Sequence, residues 1–338
     1  MPERWIVLTT INPPTEAVQA IAQLCTQGWS AVVVGDERTP GGWHVPGIDY
    51  LSVSRQRELF GAFADHLPFN HYCRKNLGYL YAMTQGATCI LETDDDNIPL
   101  GTFGRDVSER RHVRLVQGSE WINIYKHFTD AFIWPRGLPI DEIDSVGEIA
   151  EGLTEQSCPV QQYLADGDPD VDAIYRRVVN QPVTFEQRLP IALMPGVWSP
   201  FNSQNTLFYT DAFLLLYLPC LVSFRMTDIW RSLVAQQCLW LKGLSLCVMP
   251  ATVRQVRNSH DLLRDFADEV PGHCYNRRIA RTLSEKARTL NGMEDMATIC
   301  RALWGSLLAD GIIERAECDL LDEWLDIAAR VLSDTTRA

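Results

Sequence analysis

The first hundred residues alternate between short apolar runs and segments whose apolar residues recur at helical spacing. A helix is predicted after the first run, with Thr15 as its cap and Val18, Ile21 and Leu24 on one face. Strands that alternate with helices indicate an α/β fold with a mostly parallel sheet and helices on both faces. Four short runs rich in apolar or β-branched residues are typical of its buried strands: "RWIVLTT", "SAVVVGD", "IDYLS" and "ATCILE".

The pattern changes in the second and third hundred residues. Residues 100 to 200 are irregular and rich in Pro and Gly, so we expect long ordered loops there. From about Ser259 onward, three segments show an apolar helical stripe, which includes Trp304 and Trp324. We therefore predict one domain over residues 1–260 and a helical extension over residues 261–338. The apolar faces of the extension are expected to pack on the domain, with homodimer formation as the alternative.

Composition restricts the classes of partner. The chain has 338 residues, 46% of them hydrophobic, and a formal charge of -13 from 30 basic and 43 acidic side chains. Such a surface repels phosphate backbones, so nucleic acid is not an expected partner. The longest apolar run, at residues 212–219, is far shorter than the roughly 20 residues of a membrane helix. Ten scattered cysteines without a CxxC pair indicate a reducing, cytoplasmic setting rather than a structural zinc site.

Three adjacent carboxylates follow the last of the early strands, in "ILETDDDNIP". Ligands of open parallel sheets bind beyond the carboxyl ends of the strands, so "TTINPPT", "GDERTP" and "ETDDDN" should converge on one crevice. If the chain stays extended, Asp94 and Asp96 project to the same side, within reach of one cation, and Asp95 projects to the other. A cation at the triplet is the prediction, and a solvated acidic turn is the alternative.

Ten strings, in order over roughly residues 5 to 270, resemble the signature of the STELLO family. The resemblance implies a glycosyltransferase-like domain with a Rossmann-type fold of the GT-A class. A more distant similarity is to the reversibly glycosylated polypeptides, which include UDP-arabinopyranose mutases. The plant members are anchored in the Golgi, but no amino-terminal anchor is evident here, so a cytoplasmic protein is expected. The strings are "TTINPPT", "VVVGDERTP", "YLS", "LPFNHYCRKNLGYLYAMTQGA", "ETDDDNIP", "WPRGLPIDEI", "GDPDVDAIYR", "SPFNSQNTLF", "FRMTDIWRSLVAQQCLW" and "RQVRNSHDLLRDF".

The resemblance implies a divalent metal at the acidic triplet. Mn²⁺ or Mg²⁺ would bridge the triplet and the diphosphate of a nucleotide-sugar donor, for which a UDP-sugar is expected. Asp96 would be the principal metal ligand, and Asp94 would touch the metal or the ribose, with Asp95 also near the nucleotide sugar. His260 in "RNSH" occupies the place of a further metal ligand. Its alternative role is that of a helix-capping or core histidine.

Residues at the ends of the first two strands are candidates for nucleotide binding. Thr10, Asn12 and Asp36 are placed to hold the uracil and ribose, although Thr, Asn and Asp are also ordinary turn residues. Arg74 and Lys75 begin the helix before the triplet strand and are candidates for a phosphate. A charged pair at a helix start is alternatively only solvated.

Asp228 in "FRMTDIWR" is the candidate catalytic residue. In GT-A enzymes, an acidic residue late in the domain commonly acts as general base or positions the acceptor hydroxyl. Arg225 and Arg231 flank Asp228 and are expected to keep it ionised. A helix N-cap is the alternative role of Asp228.

A polar segment before this helix offers groups that suit a sugar. "SPFNSQNT" supplies the amides of Asn202, Gln204 and Asn205 for sugar hydroxyls, and Trp198 next to it offers a stacking face. The competing interpretation is a structural turn that packs on the core.

The sequence thus predicts a metal-dependent glycosyltransferase that uses a nucleotide-sugar donor. One alternative is a nucleotide-sugar mutase, in which Arg136 of "WPRGLP" takes the part of the glycosylated arginine. Another is a non-catalytic scaffold with a glycosyltransferase-like fold. The presence of Asp94, Asp96, Asp228 and His260 together favours chemistry, because a scaffold does not require that set.

Overall fold

Strands and helices alternate through the first hundred residues of the computed structural model, which describes residues 3–258, 261–290, 292 and 294–337. Within these residues the strands are β1 (Arg4–Thr9), β2 (Ser30–Val34), β3 (Asp49–Leu51), β4 (Cys89–Thr93), β5 (Asn97–Pro99), β6 (Arg110–Gln117), β7 (Glu148–Ile149), β8 (Thr154–Ser157), β9 (Val160–Gly167), β10 (Ile191–Leu193), β11 (Asn205–Tyr209) and β12 (Leu246–Gln255). The α-helices are α1 (Glu16–Cys25), α2 (Val53–Phe60), α3 (Ala62–His66), α4 (Lys75–Thr84), α5 (Ala173–Val178), α6 (Thr227–Leu241), α7 (Leu262–Ala287), α8 (Met296–Ala309) and α9 (Arg315–Arg337).

A large central sheet runs in the order β3-β2-β1-β4-β11-β9-β12-β10-β6-β7, with β5 paired to β12 and β8 to β6. The early strands β3, β2, β1 and β4 are mutually parallel. Strand β11 runs antiparallel to β4 and β9 and joins this half to the later strands. The predicted α/β fold, with helices around its sheet, is confirmed, and the ends of β1, β2 and β4 share one edge.

The two faces of the sheet are covered by different apolar clusters. Ile6 and Leu8 of β1 belong to the cluster that includes Ile21 of α1. Trp5 and Val7, which alternate with them, belong to the larger cluster of α4 and α6. This period of two is the geometry of a strand buried on both faces.

Local sequence explains the helices that flank the early strands. Thr15 caps α1 as predicted, since its side chain accepts a hydrogen bond from the backbone N–H of Val18. Helix α4 packs very close to the sheet at Gly78, where a Cβ atom would lie 2.6 Å from Val7 Cγ1. Only glycine permits this approach.

The middle of the chain is more regular than the sequence suggested. Strands β6 and β9 are each eight residues long, and both belong to the central sheet. Strand β9 was hard to predict because Gln161 and Gln162 interrupt its apolar pattern. Both glutamines are buried and hydrogen-bonded, to Ser108 O and Asn202 Oδ1 among others.

The C-terminal helices pack on the rest of the chain, as expected. Trp304 and Trp324 are buried in the same apolar cluster as α4 and α6, and Trp324 contacts Tyr79 edge to face. Because these faces are covered within the chain, a homodimer would need a different surface. The division at residue 260 stays a prediction. In the described part of the chain, every helix is too short or too polar to cross a membrane.

Candidate functional site

A cavity of about 600 Å³ opens at the edge where β1, β2 and β4 end. The three loops that the sequence predicts to converge do so, since Thr10, Asp36 and the acidic triplet all line it. Later parts of the chain complete the wall: Arg136, Asp170, Ser203, Gln204, Phe224, Arg225, Asp228, Gln255, Arg257 and Asn258. The cavity is therefore built from residues that lie far apart in sequence.

The acidic triplet forms a turn, so the premise of an extended chain is wrong. The N–H of Asn97 donates to the carbonyl of Asp94 across the turn, at 3.3 Å. Asp94 consequently meets cationic and phenolic partners, with Lys75 Nζ at 2.9 Å and Tyr72 Oη at 2.5 Å from Oδ1. Its charge is already compensated by a buried ammonium group.

Asp95 joins the triplet to the end of β1. Its Oδ2 accepts hydrogen bonds from Thr10 Oγ1 at 2.5 Å and from Asn12 Nδ2 at 3.0 Å. Burial is the main cause that raises the pKa of Asp95, and these hydrogen bonds oppose it. Thr10 and Asn12 line the cavity as predicted, but their side chains hold this loop in place.

Asp96 is the least compensated member of the triplet. Gln255 Nε2 lies 3.2 Å and Asn258 Nδ2 3.5 Å from its Oδ2, and no Lys or Arg among the described residues forms an ion pair with it. Burial, followed by the charges of Asp94 and Asp95, raises the pKa of Asp96 to about 7. A cation beside Asp96 would offset this excess of negative charge.

The side chains of the described residues do not by themselves enclose a metal. Across the described ranges, no three His, Cys, Asp or Glu side chains converge on one metal position. A hard cation at Asp96 would therefore take further oxygen ligands from water or from a bound phosphate, which suits Mn²⁺ and Mg²⁺. His260, the predicted further ligand, lies outside the described residues.

The charged residues at the start of α4 are buried, so the alternative, in which they are only solvated, is wrong. The Arg74 guanidinium borders the cavity, but it donates to Gln56 Oε1 and to the carbonyls of Ala64 and Leu67. These contacts occupy most N–H donors of the Arg74 guanidinium, so few donors are left to bind a phosphate. Lys75 is fully buried, and its ammonium group donates hydrogen bonds to Asp94 and to the carbonyl of Thr93.

The predicted nucleotide residue Asp36 faces the cavity at the end of β2. Its Oδ2 accepts a hydrogen bond of 3.3 Å from the backbone N–H of His71, and its Oδ1 accepts one from the backbone N–H of Glu37. His71 precedes the 3-10 helix Tyr72–Arg74, so Asp36 joins β2 to this helix.

Asp228 lies in the first turn of α6 and is not its N-cap residue, which is Met226. Its carboxylate accepts from Arg136 Nη2 at 2.9 and 3.0 Å, and from the backbone N–H and Oγ of Ser203, each at 3.2 Å. Burial raises the pKa of Asp228, but Arg136, together with the charge of Arg231 and the N–H of Ser203, outweighs burial, and the pKa falls to about 2. Asp228 is thus a fixed anion.

Of the two arginines expected to keep Asp228 ionised, Arg231 contributes through its charge, and neither forms an ion pair with Asp228 among the described residues. Arg225 lines the cavity but pairs with Glu269 at 3.0 Å. Arg231 lies outside the cavity lining, where it forms a two-pronged ion pair with Glu92, at 2.5 and 2.9 Å. The charge of Arg231 still helps to lower the pKa of Asp228, three residues earlier on the same helix, but the group that binds the carboxylate directly is Arg136.

The polar segment before α6 contributes less to the cavity than predicted. Gln204 lines it and donates to Gln255 Oε1 at 2.5 Å. Asn202 and Asn205 are buried away from it, bonded to Gln162 and Thr252, as the turn interpretation expects. Trp198 is also in the core, because Trp121 and Trp240 cover its ring, and it offers no free stacking face.

Sequence reasoning missed a chain of hydrogen bonds along the cavity wall. Ser203 Oγ has one proton to donate, either to Tyr72 Oη at 2.8 Å or to Asp228 Oδ2 at 3.2 Å, while Tyr72 donates to Asp94. The chain joins the triplet to Asp228. Ser203 lies inside the segment whose amides were selected, but a serine in a polar run carries no signal of its own. Tyr72 precedes the charged pair and was equally inconspicuous.

Comparison with known proteins shows similarity over most of the chain. Residues 225–326 match the family model described as STELLO glycosyltransferases. "Probable glycosyltransferase STELLO2" of Arabidopsis thaliana is 32% identical over 323 residues, which are 88% of this chain and 42% of that protein. "Probable glycosyltransferase STELLO1" of the same plant is 32% identical over 275 residues, 75% of this chain and 35% of that protein. The chain thus spans less than half the length of these relatives.

Proposed function

The chain belongs to the STELLO family, and we propose that it transfers a sugar from a nucleotide-sugar donor, a UDP-sugar, with the help of Mn²⁺ or Mg²⁺. The observation that carries this proposal is the Asp96 carboxylate, which faces the cavity among like charges and whose side-chain partners among the described residues are the amides of Gln255 and Asn258. Asp96 would hold the cation together with oxygen atoms of the donor. A bound cation would neutralise charge that develops on the diphosphate leaving group.

The other two residues of the triplet, Asp94 and Asp95, fix the turn that carries Asp96. Lys75 compensates Asp94, and Thr10 and Asn12 bind Asp95, so protein groups hold the turn without a ligand. The ends of β1 and β2, with Asp36, form the part of the cavity that we assign to the base and ribose. Asp228 and Arg136 form the part that we assign to the acceptor.

The mutase alternative is less well supported by the surroundings of Arg136. Its Nε and Nη2 donate to Asp170 and Asp228, and its Nη1 donates to the carbonyl of Arg225. The two carboxylates raise the pKa of Arg136 despite its burial. A guanidinium held in this state is a poor nucleophile, because attack on a sugar requires a free, deprotonated nitrogen.

Thermal unfolding with UDP or GDP, in MnCl₂ or in EDTA, tests the proposal. We expect UDP with Mn²⁺ at about 100 times its Kd to stabilise the native fold by about 2.7 kcal/mol. The Asp96→Asn variant should lose this gain, because its amide keeps the shape but not the charge. Asp144→Asn changes a side chain that is 80% exposed and serves as the control. The absence of any nucleotide-dependent shift in the native protein would favour a scaffold.

The low pKa of Asp228 leads to a prediction on the pH dependence of transfer. Because its folded-state pKa of about 2 is below the ordinary value of 3.8, the carboxylate is ionised throughout the usual assay range. We therefore expect no acidic limb from Asp228 between about pH 5 and 9 in kcat/KM. An acidic limb that disappears in Asp228→Asn would instead identify Asp228 as a general base with a pKa near neutrality.

A further inference from the structure

Three arginines of the cavity wall differ in how many of their N–H groups the protein uses. Arg136 donates through Nε, Nη1 and Nη2 to protein acceptors, and its side chain is 5% exposed. It is saturated by Asp170, Asp228 and the Arg225 carbonyl. A ligand has little to gain from Arg136 directly.

Arg225 and Arg257, on the same wall, keep N–H groups without an acceptor among the residues that the structure describes. Arg257 donates only through Nη2, to Asp265 at 2.9 Å, so its Nε and Nη1 have no acceptor among the described residues. Arg225 directs Nε and Nη2 to Glu269, and Nη2 also lies 3.5 Å from the Val171 carbonyl and 3.8 Å from Asp170 Oδ1, which leaves Nη1 without an acceptor in that same part of the chain. Both side chains are largely enclosed, at 12% and 13% exposure, yet both border the cavity.

The electrostatics of Arg257 favour an anion at this wall. Burial, followed by repulsion from Arg176 and Arg225, lowers the pKa of Arg257 to about 10. This repulsion persists even though Asp265 and Asp170 oppose it. An anion placed against the free N–H groups would relieve it and satisfy donors that are largely shielded from water.

We propose that Arg225 and Arg257 form a subsite for a second anionic group of the substrate, a carboxylate or a phosphate that is distinct from the donor diphosphate. This inference rests on the proposed function, in which the diphosphate lies with the cation at Asp96. The acidic triplet repels an anion unless a cation intervenes, whereas the arginine wall binds one directly. The substrate class that follows is an acidic or phosphorylated sugar.

Isothermal titration calorimetry with three probes tests the subsite. Glucuronate, glucose 6-phosphate and glucose are titrated into the full chain in EDTA, and again after saturation with UDP and MnCl₂. We expect glucuronate or glucose 6-phosphate to bind about tenfold or more tightly than glucose. The tighter of the two shows whether the subsite prefers a carboxylate or a phosphate. Arg257→Gln and Arg225→Gln should each remove this preference.

Matched variants separate the subsite from other roles. Arg277→Gln removes an arginine outside the cavity, 43% exposed, and should keep the preference. Arg257→Lys retains the charge but not the planar fork, and should keep part of the preference. Each variant is checked for folding by circular dichroism.

Two results would overturn the subsite. One is equal affinity of the native protein for all three probes. The other is a loss of UDP affinity in Arg257→Gln as large as its loss of anionic-sugar affinity, which would place Arg257 on the diphosphate. Failure of UDP to bind the native protein, with anion preference intact, would remove the proposed function and leave the subsite.

Discussion

Lys75→Met should destabilise the fold by about 2 to 4 kcal/mol, because it leaves the Asp94 carboxylate without its cation in a largely enclosed site. Lys75 is fully buried, and its ammonium group donates to Asp94 Oδ1, to the Thr93 carbonyl and to Tyr72 Oη. Methionine fills similar volume, so the loss measures charge and hydrogen bonds rather than a cavity. The free energy of unfolding from urea titration followed by circular dichroism provides the test.

The companion variants make this prediction specific to the triplet. Lys75→Met with Asp94→Asn should recover part of the loss, because it removes the carboxylate that was left unpaired. Lys242→Met, at an exposed lysine whose ammonium group bonds backbone carbonyls among the described residues, should change stability by less than about 0.5 kcal/mol. Mn²⁺ should stabilise Lys75→Met more than the native protein, since the variant has one more uncompensated charge. A Lys75→Met protein as stable as the native one would contradict the assigned pairing.

Arg231→Met should cost about 3 to 5 kcal/mol, the largest loss that we expect from a single ion pair. Glu92 is completely buried, and both of its oxygens are held by the guanidinium of Arg231, with Tyr79 Oη as a further donor. Removal of Arg231 leaves an unpaired carboxylate inside the apolar core. The pair joins β4 to α6, which carry the triplet and Asp228. Urea unfolding of the variant measures the loss.

A double-mutant cycle separates the pair from simple packing. Arg231→Met with Glu92→Gln should be more stable than Arg231→Met alone, because no buried charge remains unpaired. Arg301→Met removes an exposed arginine, 40% accessible, from Asp322 and Asp326, and should cost less than about 1 kcal/mol. If Arg231→Met and Arg301→Met lowered the free energy of unfolding by the same small amount, the Arg231–Glu92 pair would not stabilise the fold as its burial indicates.

Several features of the site could be predicted from the sequence because they depend on local pattern. The apolar runs before Thr10, Asp36 and Asp94 identify parallel strands, and strands of this kind place their polar ends at one edge. That rule is sufficient to bring the three loops into one cavity. The Thr15 cap and the C-terminal helices likewise follow from short-range spacing.

The partners of each charged group could not be predicted, because they come from distant parts of the chain. Arg136, which fixes Asp228, is 92 residues away from it, and Arg231 pairs with Glu92 across 139 residues. Trp198 was predicted to offer a stacking face for a sugar, but in the fold Trp121 and Trp240 cover its ring. Strand β9 was missed because its buried glutamines are satisfied only by tertiary contacts.

The sequence by itself determined the α/β order of elements, the resemblance to the STELLO family and the position of three carboxylates at the end of a strand. Only the tertiary structure decided that Lys75 compensates Asp94, that Asp95 holds the β1 loop and that Asp96 faces the charges of Asp94 and Asp95 with no Lys or Arg ion pair among the described residues. The physical reason is that hydrophobic periodicity depends on neighbours a few residues apart, whereas the state of a buried charge depends on every group packed around it.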